Sequence, residues 1–585
     1  MPVRYTALCF LFLTTPALAQ QLDFDDAFAV GGTGREVGVD VAGDADGNVF
    51  LVGLFPGADP SQTDVFLAKY APDGVRLWAR RMGAADADDV VEAVAVDRDG
   101  NAYVAGAFSG NATWQGGSRP DIALTSRGGL DGFLARYDAA GDLVWVEQVG
   151  GAGDDAARGV DVDPFPERQV LLAGGFEETA TLGGGTTLTS VGGEDAFVAR
   201  YTAEGELLWA RRGGGPEDDG AWAVSAGEWN VPTKEGTYVV GTFGGLAGFG
   251  PFMLQSRGGS DAFVVGYDDG GAELWAQQIG GEGNDEGLGG AMTSEWYGGD
   301  FLFVTGAFEG EIVVGEGPHG DPDTLASAGS SDIFVASVAA HYSAVYEAGA
   351  VISGIRGGGV GADAGTDVTV VPLPNDVPTH QVFVTGYAAG PGSFSGSQLK
   401  IDYTGRGGVD GFHFTATYGS GDELWSPFVE TLGGEDNDYG FGAGSGVFEY
   451  TEEHPILMTG AFRGTAAIGT HTLTSSGGYD AYVGRIEVNL TATEPVDPSA
   501  LTLAAPWPNP FREAVTLALT LPTPQGVRAE VVDLLGRRVA LLHDGDLGAG
   551  THSFVWEAEA APPGVYLVRV TTAEGTQTRP VTRLR

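Results

Sequence analysis

The sequence predicts an all-β chain in two parts, a closed ring of repeated four-stranded units followed by a small β-sandwich. Three observations carry this reading. The phrase GGLDGFLARYDAAGDLVW (128–145) recurs as TDVFLAKYAPDGVRLW (63–78), GGEDAFVARYTAEGELLW (192–209) and GGSDAFVVGYDDGGAELW (258–275). The 585 residues include 97 Gly, far above the usual share, which suits many tight turns between short strands. Composition then changes after residue 500. Residues 501–585 hold eight Arg against eight Asp and Glu and only seven Gly, so the net charge of −49 resides wholly in residues 1–500.

The first 19 residues read as a secretory signal: Arg4, the apolar run ALCFLFLTTPALA, and the small residues Ala17 and Ala19 at a cleavage site. The run is too short to span a membrane comfortably. Cys9 is the only cysteine and lies inside the signal, with Leu8 before it where a lipoprotein site needs a small residue. The mature chain is thus expected to have no disulfide and no thiol chemistry. The strong negative charge argues against nucleic acid or anionic lipid as partner and favours cations.

Within the repeat, DGFLARY is a strand with Phe133, Ala135 and Tyr137 on one face and Leu134 and Arg136 on the other. DAAG is a turn in which Gly141 suits a positive φ, and DLVW returns as a second strand. The opening acid recurs as Asp64, Asp131, Asp195, Asp261, Asp332, Asp410 and Asp480. Two further strand signals precede it, EAVAVD (92–97) and NAYVAGAF (101–108). Seven units of four strands predict a seven-bladed β-propeller over residues 20–490, because one such unit buries its faces only against neighbours. The last unit has DAYVGRI (480–486) but no returning Trp strand, while an orphan strand, DDAFAVG (25–31), precedes the first. The N-terminal strand is expected to complete the last blade.

The stretch LTSVGGEDAFVARYTAEGELLWARRGGG (188–215) resembles the SBBP-type bacterial β-propeller repeat, and the resemblance runs over roughly 25–490. It implies the fold and leaves activity open, since propellers host many functions. Tyr346 stands where Trp is expected, and DGFHFTATY (410–418) carries two extra residues before its Tyr.

TATEPVDPSA (491–500) reads as a linker. Beyond it, six short strand signals predict a small immunoglobulin-like sandwich over 501–585. This segment resembles the C-terminal sorting domain of the type IX secretion system. The resemblance rests on Pro508-Asn509-Pro510-Phe511, on DLLGR (533–537) with Gly536, on GAGTH (548–552), on PPGVYLVRV (562–570) with Gly564 and Tyr566, and on the closing VTRLR. Trp507 stands where the family more often has Tyr. The resemblance implies the secretion machinery as partner, passage across the outer membrane, removal of the domain, and release or attachment to surface polysaccharide.

Candidate chemistry is sparse. The repeated Asp suits a carboxylate that fixes its loop through backbone N–H groups. The column Trp78, Trp145, Trp209, Trp275 and Trp425 suits packing between neighbouring blades, with a sugar platform as the rival reading. A further acidic column, Glu36, Asp88, Asp155, Asp219, Asp285, Asp363 and Asp438, lies in GGxGxD-like loops and is expected to ring one channel mouth; such oxygens could attract Ca²⁺. The DADGN (44–48) and DRDGN (97–101) turns lack the ligand spacing of an EF-hand. No nucleophile, cofactor or metal constellation is recognisable, so no catalytic, cofactor or metal residue is assigned. The expected function is a secreted or cell-surface, non-enzymatic binding or adhesion protein, with an extracellular glycan or protein as ligand. The alternative is a secreted polysaccharide hydrolase or lyase acting at the channel mouth, with His319, Asp321, Asp323, His341 and His413 as suspects. Edman sequencing of the exported protein should begin at Gln20; an N-terminus at Met1 in the exported fraction would contradict the signal.

Overall fold

The computed structural model describes residues 24–488, with breaks at 58–61, 85–86, 164–167, 228–235, 294–300, 317–321, 341–346, 374–378, 397–399, 420–422 and 446–453, and most of 502–583. The signal, with Ala17 and Ala19, lies outside the described residues, as does the 491–500 segment. The chain divides into two compact units, the first ending at Val488.

Among the described residues the strand pairings of the first unit form seven antiparallel groups of four strands, several of them bonded into longer sheets, and the last group takes its fourth strand from the N-terminus. In the second of them Val90–Val96 pairs with Ala102–Phe108, that strand with Asp131–Tyr137, and that one with Leu143–Val149. The innermost strands are Val37–Gly43, Val90–Val96, Asp155–Val162, Asp219–Gly227, Asp285–Met292, Ala364–Leu373 and Tyr439–Ser445. Residues of all seven line one central cavity of about 400 Å³, the arrangement of a β-propeller. The middle strands are covered on both faces by neighbouring sheets, so Ala102–Phe108 and Asp195–Tyr201 are buried throughout and read as continuous apolar runs.

Two devices join neighbouring sheets. The first is the tryptophan column. Trp145 Nε1 donates to the Ala203 carbonyl at 3.0 Å, Trp209 to Asp269 at 2.8 Å and Trp275 to Ala340 at 3.1 Å, each in the outer turn of the next sheet. A glycine at positive φ lies against each ring: Gly205, Gly271 and Gly349. A Cβ at Gly205 would stand 3.1 Å from the Trp145 indole, so the turn needs both the conformation and the missing side chain. The Trp425 side chain lies outside the described residues.

The second device is a hairpin between the second and third strands, which reaches back to the outer strand of the preceding sheet. Asn111–Trp114 pairs with Ile122–Thr125 and also with Arg76–Ala84 of the first sheet, Met82 facing Trp114. Equivalent contacts are Gly150 with Thr181, Gly213 with Phe249, Gly280 with Val313, Gly357 with Phe394, and Gly433 with Ala467. These hairpins account for the long repeat. Only six residues, 57–62, join Val49–Pro56 to Thr63–Tyr70 in the first sheet.

At that junction the N-terminal strand acts instead. Asp26–Val30 pairs with the end of His471–Val488, Asp26 facing Arg485 and Val30 facing Ala481. Its Phe28 takes the place that tryptophan holds elsewhere: a Cβ on Gly74, at φ +78°, would stand 3.2 Å from the Phe28 ring.

In the second unit a sheet ordered Thr502–Leu503, Ala514–Leu521, Gly550–Glu557 and one ordered Arg538–Leu547, Gln525–Asp533, Gly564–Thr572, Gly575–Arg583 share a core. Val515 and Trp556 from the first meet Val531, Val568 and Val581 from the second. Tyr566 stacks edge-on against Trp556 at 5.0 Å and donates its hydroxyl to the Pro562 carbonyl at 2.6 Å.

Deleting residues 21–31 should lower the thermal midpoint of the mature protein by many degrees. Phe28→Ala alone should cost about 2 kcal/mol, since its ring is only partly buried. An unchanged midpoint in the deletion would contradict the closing role of Asp26–Val30.

Candidate ligand site in the central channel

The repeated acids are absorbed by the architecture. Asp131, Asp195, Asp332, Asp410 and Asp480 are buried, and each Oδ2 accepts the backbone N–H of the residue four before it, at 2.6–3.1 Å. In the later column, Asp219 Oδ2 accepts from Gly215 at 2.6 Å while Oδ1 accepts from Gly244 at 3.0 Å; Asp285, Asp363 and Asp438 repeat the pattern. One carboxylate thus ties its own loop to the start of the next hairpin. In the second sheet this role belongs to Asp89, bonded to Ala84 and Ser109, and not to Asp88, which accepts from Thr63 at an exposed site. These side chains are buried under the hairpins and do not line the cavity, which corrects the expectation that they ring a channel mouth. Position 36, a Glu, is likewise absent from the lining, and its Oε2 is buried without a hydrogen bond.

The two columns meet in pairs. A Cβ on Gly150 would lie 2.8 Å from Asp155 Oδ2 and 3.0 Å from Asp131 Oδ1. Asp131 Oδ1 is buried without a hydrogen-bond partner, as are the matching atoms of Asp195, Asp332, Asp410 and Asp480. Burial, then the neighbouring carboxylate, push Asp155 and Asp219 up to about 7 and Asp285 and Asp438 up to about 6, against the opposing pull of backbone N–H groups.

Of the other described sequence candidates, only Asp97 and Arg98 of the DRDGN turn line the cavity. Asp44 is spent on the N–H groups of Asp46 and Asn48 and on Lys69 at 2.8 Å; Asp97 serves Asp99 and Asn101 in the same way. These turns hold themselves. His413 is fully buried in the sixth sheet, 5.1 Å edge-on from Phe24 and 5.5 Å from Phe428, and neither ring nitrogen has a hydrogen bond. Burial pushes its pKa down to about 3. It is a neutral core residue and lies away from the channel, contrary to its expected place at the mouth. His319, Asp321 and His341 lie outside the described residues, as does the side chain of Asp323 in Pro322–Ala326. Pro508, Asn509, Pro510, Phe511 and Gly536 also lie outside; Gly564 opens the strand that carries Tyr566. No group of three or more His, Cys, Asp or Glu side chains among the described residues is placed to hold a metal.

The group that sequence reasoning missed is set by a bulge. Every innermost strand shifts register at the same place, and the residue at the shift is Val39, Glu92, Arg158, Trp222, Leu288, Thr366 or Phe441. A bulge re-aims its side chain, and all of these except Thr366 line the cavity. Thr366 instead donates to the Thr385 and Gly440 carbonyls. Each residue lies three positions after the buried acid of its loop. Elsewhere the repeat keeps its residue type; here every blade differs. Arg158 pairs with Glu194 and lies 4.3 Å over the Trp222 ring, which is 37% exposed. Burial pushes Glu92 up to about 7, with Arg158 pulling the other way. Two more acids stand beside this ring. Asp40 accepts Val41 N and Val94 N, each at 2.7 Å, and Asp367 accepts Val368 N at 2.8 Å and Ala443 N at 2.9 Å. Each thereby links adjacent innermost strands.

Fold and site together define a β-propeller with an asymmetric channel. Residues 77–107 match the model of the β-propeller repeat SBBP, and residues 506–582 match that of the secretion system C-terminal sorting domain. The chain is thus a β-propeller protein with a type IX sorting domain, the mark of proteins exported to the cell surface or secreted. Among curated proteins it is similar to the regulatory protein FlaEY of Caulobacter vibrioides, 32% identical over 162 residues, 27% of this chain and 16% of that protein. The chain therefore spans about a sixth of that relative's length. Two solved structures are similar at low overlap. One is an acylaminoacyl peptidase of Pyrococcus horikoshii (TM-score 0.32, 10% identity, 83% of this chain and 58% of that one). The other is PorZ, a surface component of the type IX secretion system of Porphyromonas gingivalis (TM-score 0.13, 12% identity, 96% and 100%). No described helix is long and apolar enough to cross a membrane.

The paired aspartates set a pH dependence. Their folded pKa values lie above the unfolded value, so their contribution is full below about pH 4 and lost as pH rises through 6 to 7. His413 acts oppositely: its contribution is lost as pH falls from about 6.5 toward 3. The thermal midpoint should rise between pH 8 and pH 6. Asp131→Asn, whose amide can donate to Asp155, should flatten that slope, and His413→Phe should soften the loss at lower pH. A midpoint constant from pH 6 to 8 would refute the raised carboxyl pKa values of these pairs.

Proposed function

We propose that this chain is a non-enzymatic binding or adhesion propeller, held at the cell surface or released after type IX export, which takes its ligand in the central channel. The observation that carries the reading is the bulge ring. Repeated polar side chains serve loops and junctions, whereas Glu92, Arg158, Trp222, Leu288 and Phe441 differ from blade to blade and face open space. In this reading residues 1–19 direct the first membrane passage, 491–500 is a linker, and an immunoglobulin-like domain over 501–585 addresses the secretion machinery. The motifs at Pro508–Phe511, Gly536, Gly564 and Tyr566 belong to that address.

The test combines location and retention. In the native host, mass spectrometry should find the mature propeller on the surface or in the medium, and deletion of 501–585 should trap it inside. Purified mature protein should retain ligands from a panel of glycans, peptides and amines, and Trp222→Ala should weaken that retention at least fivefold without lowering the melting point. A polysaccharide hydrolase or lyase is the second reading, favoured by the raised carboxyl of Glu92, which suits a general acid. Turnover of any polysaccharide, lost in Glu92→Gln, would replace the binding reading.

A further inference from the structure

We infer that the channel ligand carries an organic cation, an ammonium or guanidinium group, drawn in past Trp222 and held by Glu92 and the Asp40 and Asp367 carboxylates. This rests on the binding reading above and names the chemistry of its site.

The first argument is the charge balance inside the cavity. Its lining includes Asp40, Glu92, Asp97, Asp161, Asp163 and Asp367 against Arg98, Arg158 and Arg168. Two of the three cations are already engaged by acids outside the lining, Arg158 by Glu194 and Arg168 by Asp99. Asp163 has Arg200 at 3.1 Å, and Asp97 is absorbed by its turn. Asp40 and Asp367 accept only backbone N–H groups among the described residues. Nothing described donates a hydrogen bond to the Glu92 carboxylate.

The second argument is proximity. Asp367 accepts the N–H of Ala443, and the neighbouring residue is Gly442, where a Cβ would stand 2.8 Å from Asp40 Oδ1. Two carboxylates from the first and sixth sheets therefore abut one peptide of the seventh, where the strands pass so closely that a Cβ on Gly442 would also stand 2.7 Å from the Asp40 Cα and the Val39 carbonyl. Burial first and then Asp367 hold Asp40 well above the usual carboxylate range. A cation placed there relieves both the repulsion and the desolvation.

The third argument is the aromatic wall of the cavity. The indole of Trp222 already holds one guanidinium, that of Arg158, at 4.3 Å, so its face meets cations in this fold. Phe441 and Leu288 supply apolar wall for the methylene stem of an amine or an arginine. A cavity of about 400 Å³ lies within the range that small ligands or one side chain occupy. The −49 charge of the chain steers cations toward it and repels anions.

Calorimetry on the full mature protein tests this, with spermidine and an acetylated Gly-Arg-Gly amide as probes at low salt. One saturable site is expected. Glu92→Gln should weaken it at least tenfold and Trp222→Leu about threefold, while Asp46→Asn, at an exposed turn, should leave it unchanged. Preference for the peptide identifies a protein side chain as the source, and preference for spermidine a free polyamine. Binding equally strong in all three variants would mean mere condensation on an acidic surface and would overturn the inference. So would the absence of a saturable site for either probe. If neutral oligosaccharides are retained through Trp222 while both cations are inert, the cation falls and the binding reading stands.

Discussion

Each sheet of the propeller depends on a contact that it cannot make for itself. The indole N–H of an outer strand needs a carbonyl in the turn of the next sheet, and that turn needs a glycine so that the ring can lie against it. A lone four-stranded sheet would leave its middle strands, apolar on both faces, in water. The stable object is therefore the closed circle. The hairpins extend the same dependence to the rim, since each lies across the outer strand of the sheet before it.

This division of labour decides where function can reside. The aspartates gather the loose N–H groups of glycine-rich loops, and a carboxylate so used has little left to offer a ligand. Buried acids in pairs leave one oxygen without a donor, and the repulsion between them raises the pKa of the partner carboxyl. The bulge positions are different. Their backbone is fixed by the register shift, and six of the seven side chains line the cavity, Arg158 also reaching Glu194. They are free to vary without disturbing the ring, and they do.

Much of this was legible because it recurs. Asp131 and its equivalents, the Trp column and the Asp-Gly turns repeat within one chain, so their architectural role could be read by self-comparison. The hairpins were not legible. Segments such as NATW and IALT are short, and the glycines and serines between them read as loop. The bulge ring was hidden for the opposite reason: its residues share a position and no chemistry. Locating it requires the acid column in correct register, and the adjacent Asp88 and Asp89 blur that register by one. The isolation of His413 is a tertiary fact, because Phe24 reaches it from the far end of the chain. The two-sheet core of the second unit follows from alternating strands such as VRAEVVD, which carry their pattern openly.

The pairing of Asp26 with Arg485 joins residues at nearly opposite ends of the propeller sequence. The first strand of the ring is also the one that must wait longest for its neighbour. No prefix of the chain can settle as a finished circle, and the energetic reward for order arrives only with the final strand. Such topologies fold slowly, because loop closure over hundreds of residues precedes the contacts that repay it. A chain interrupted before His471–Val488 would keep a raw edge at each end of its arc, open to pairing with other chains.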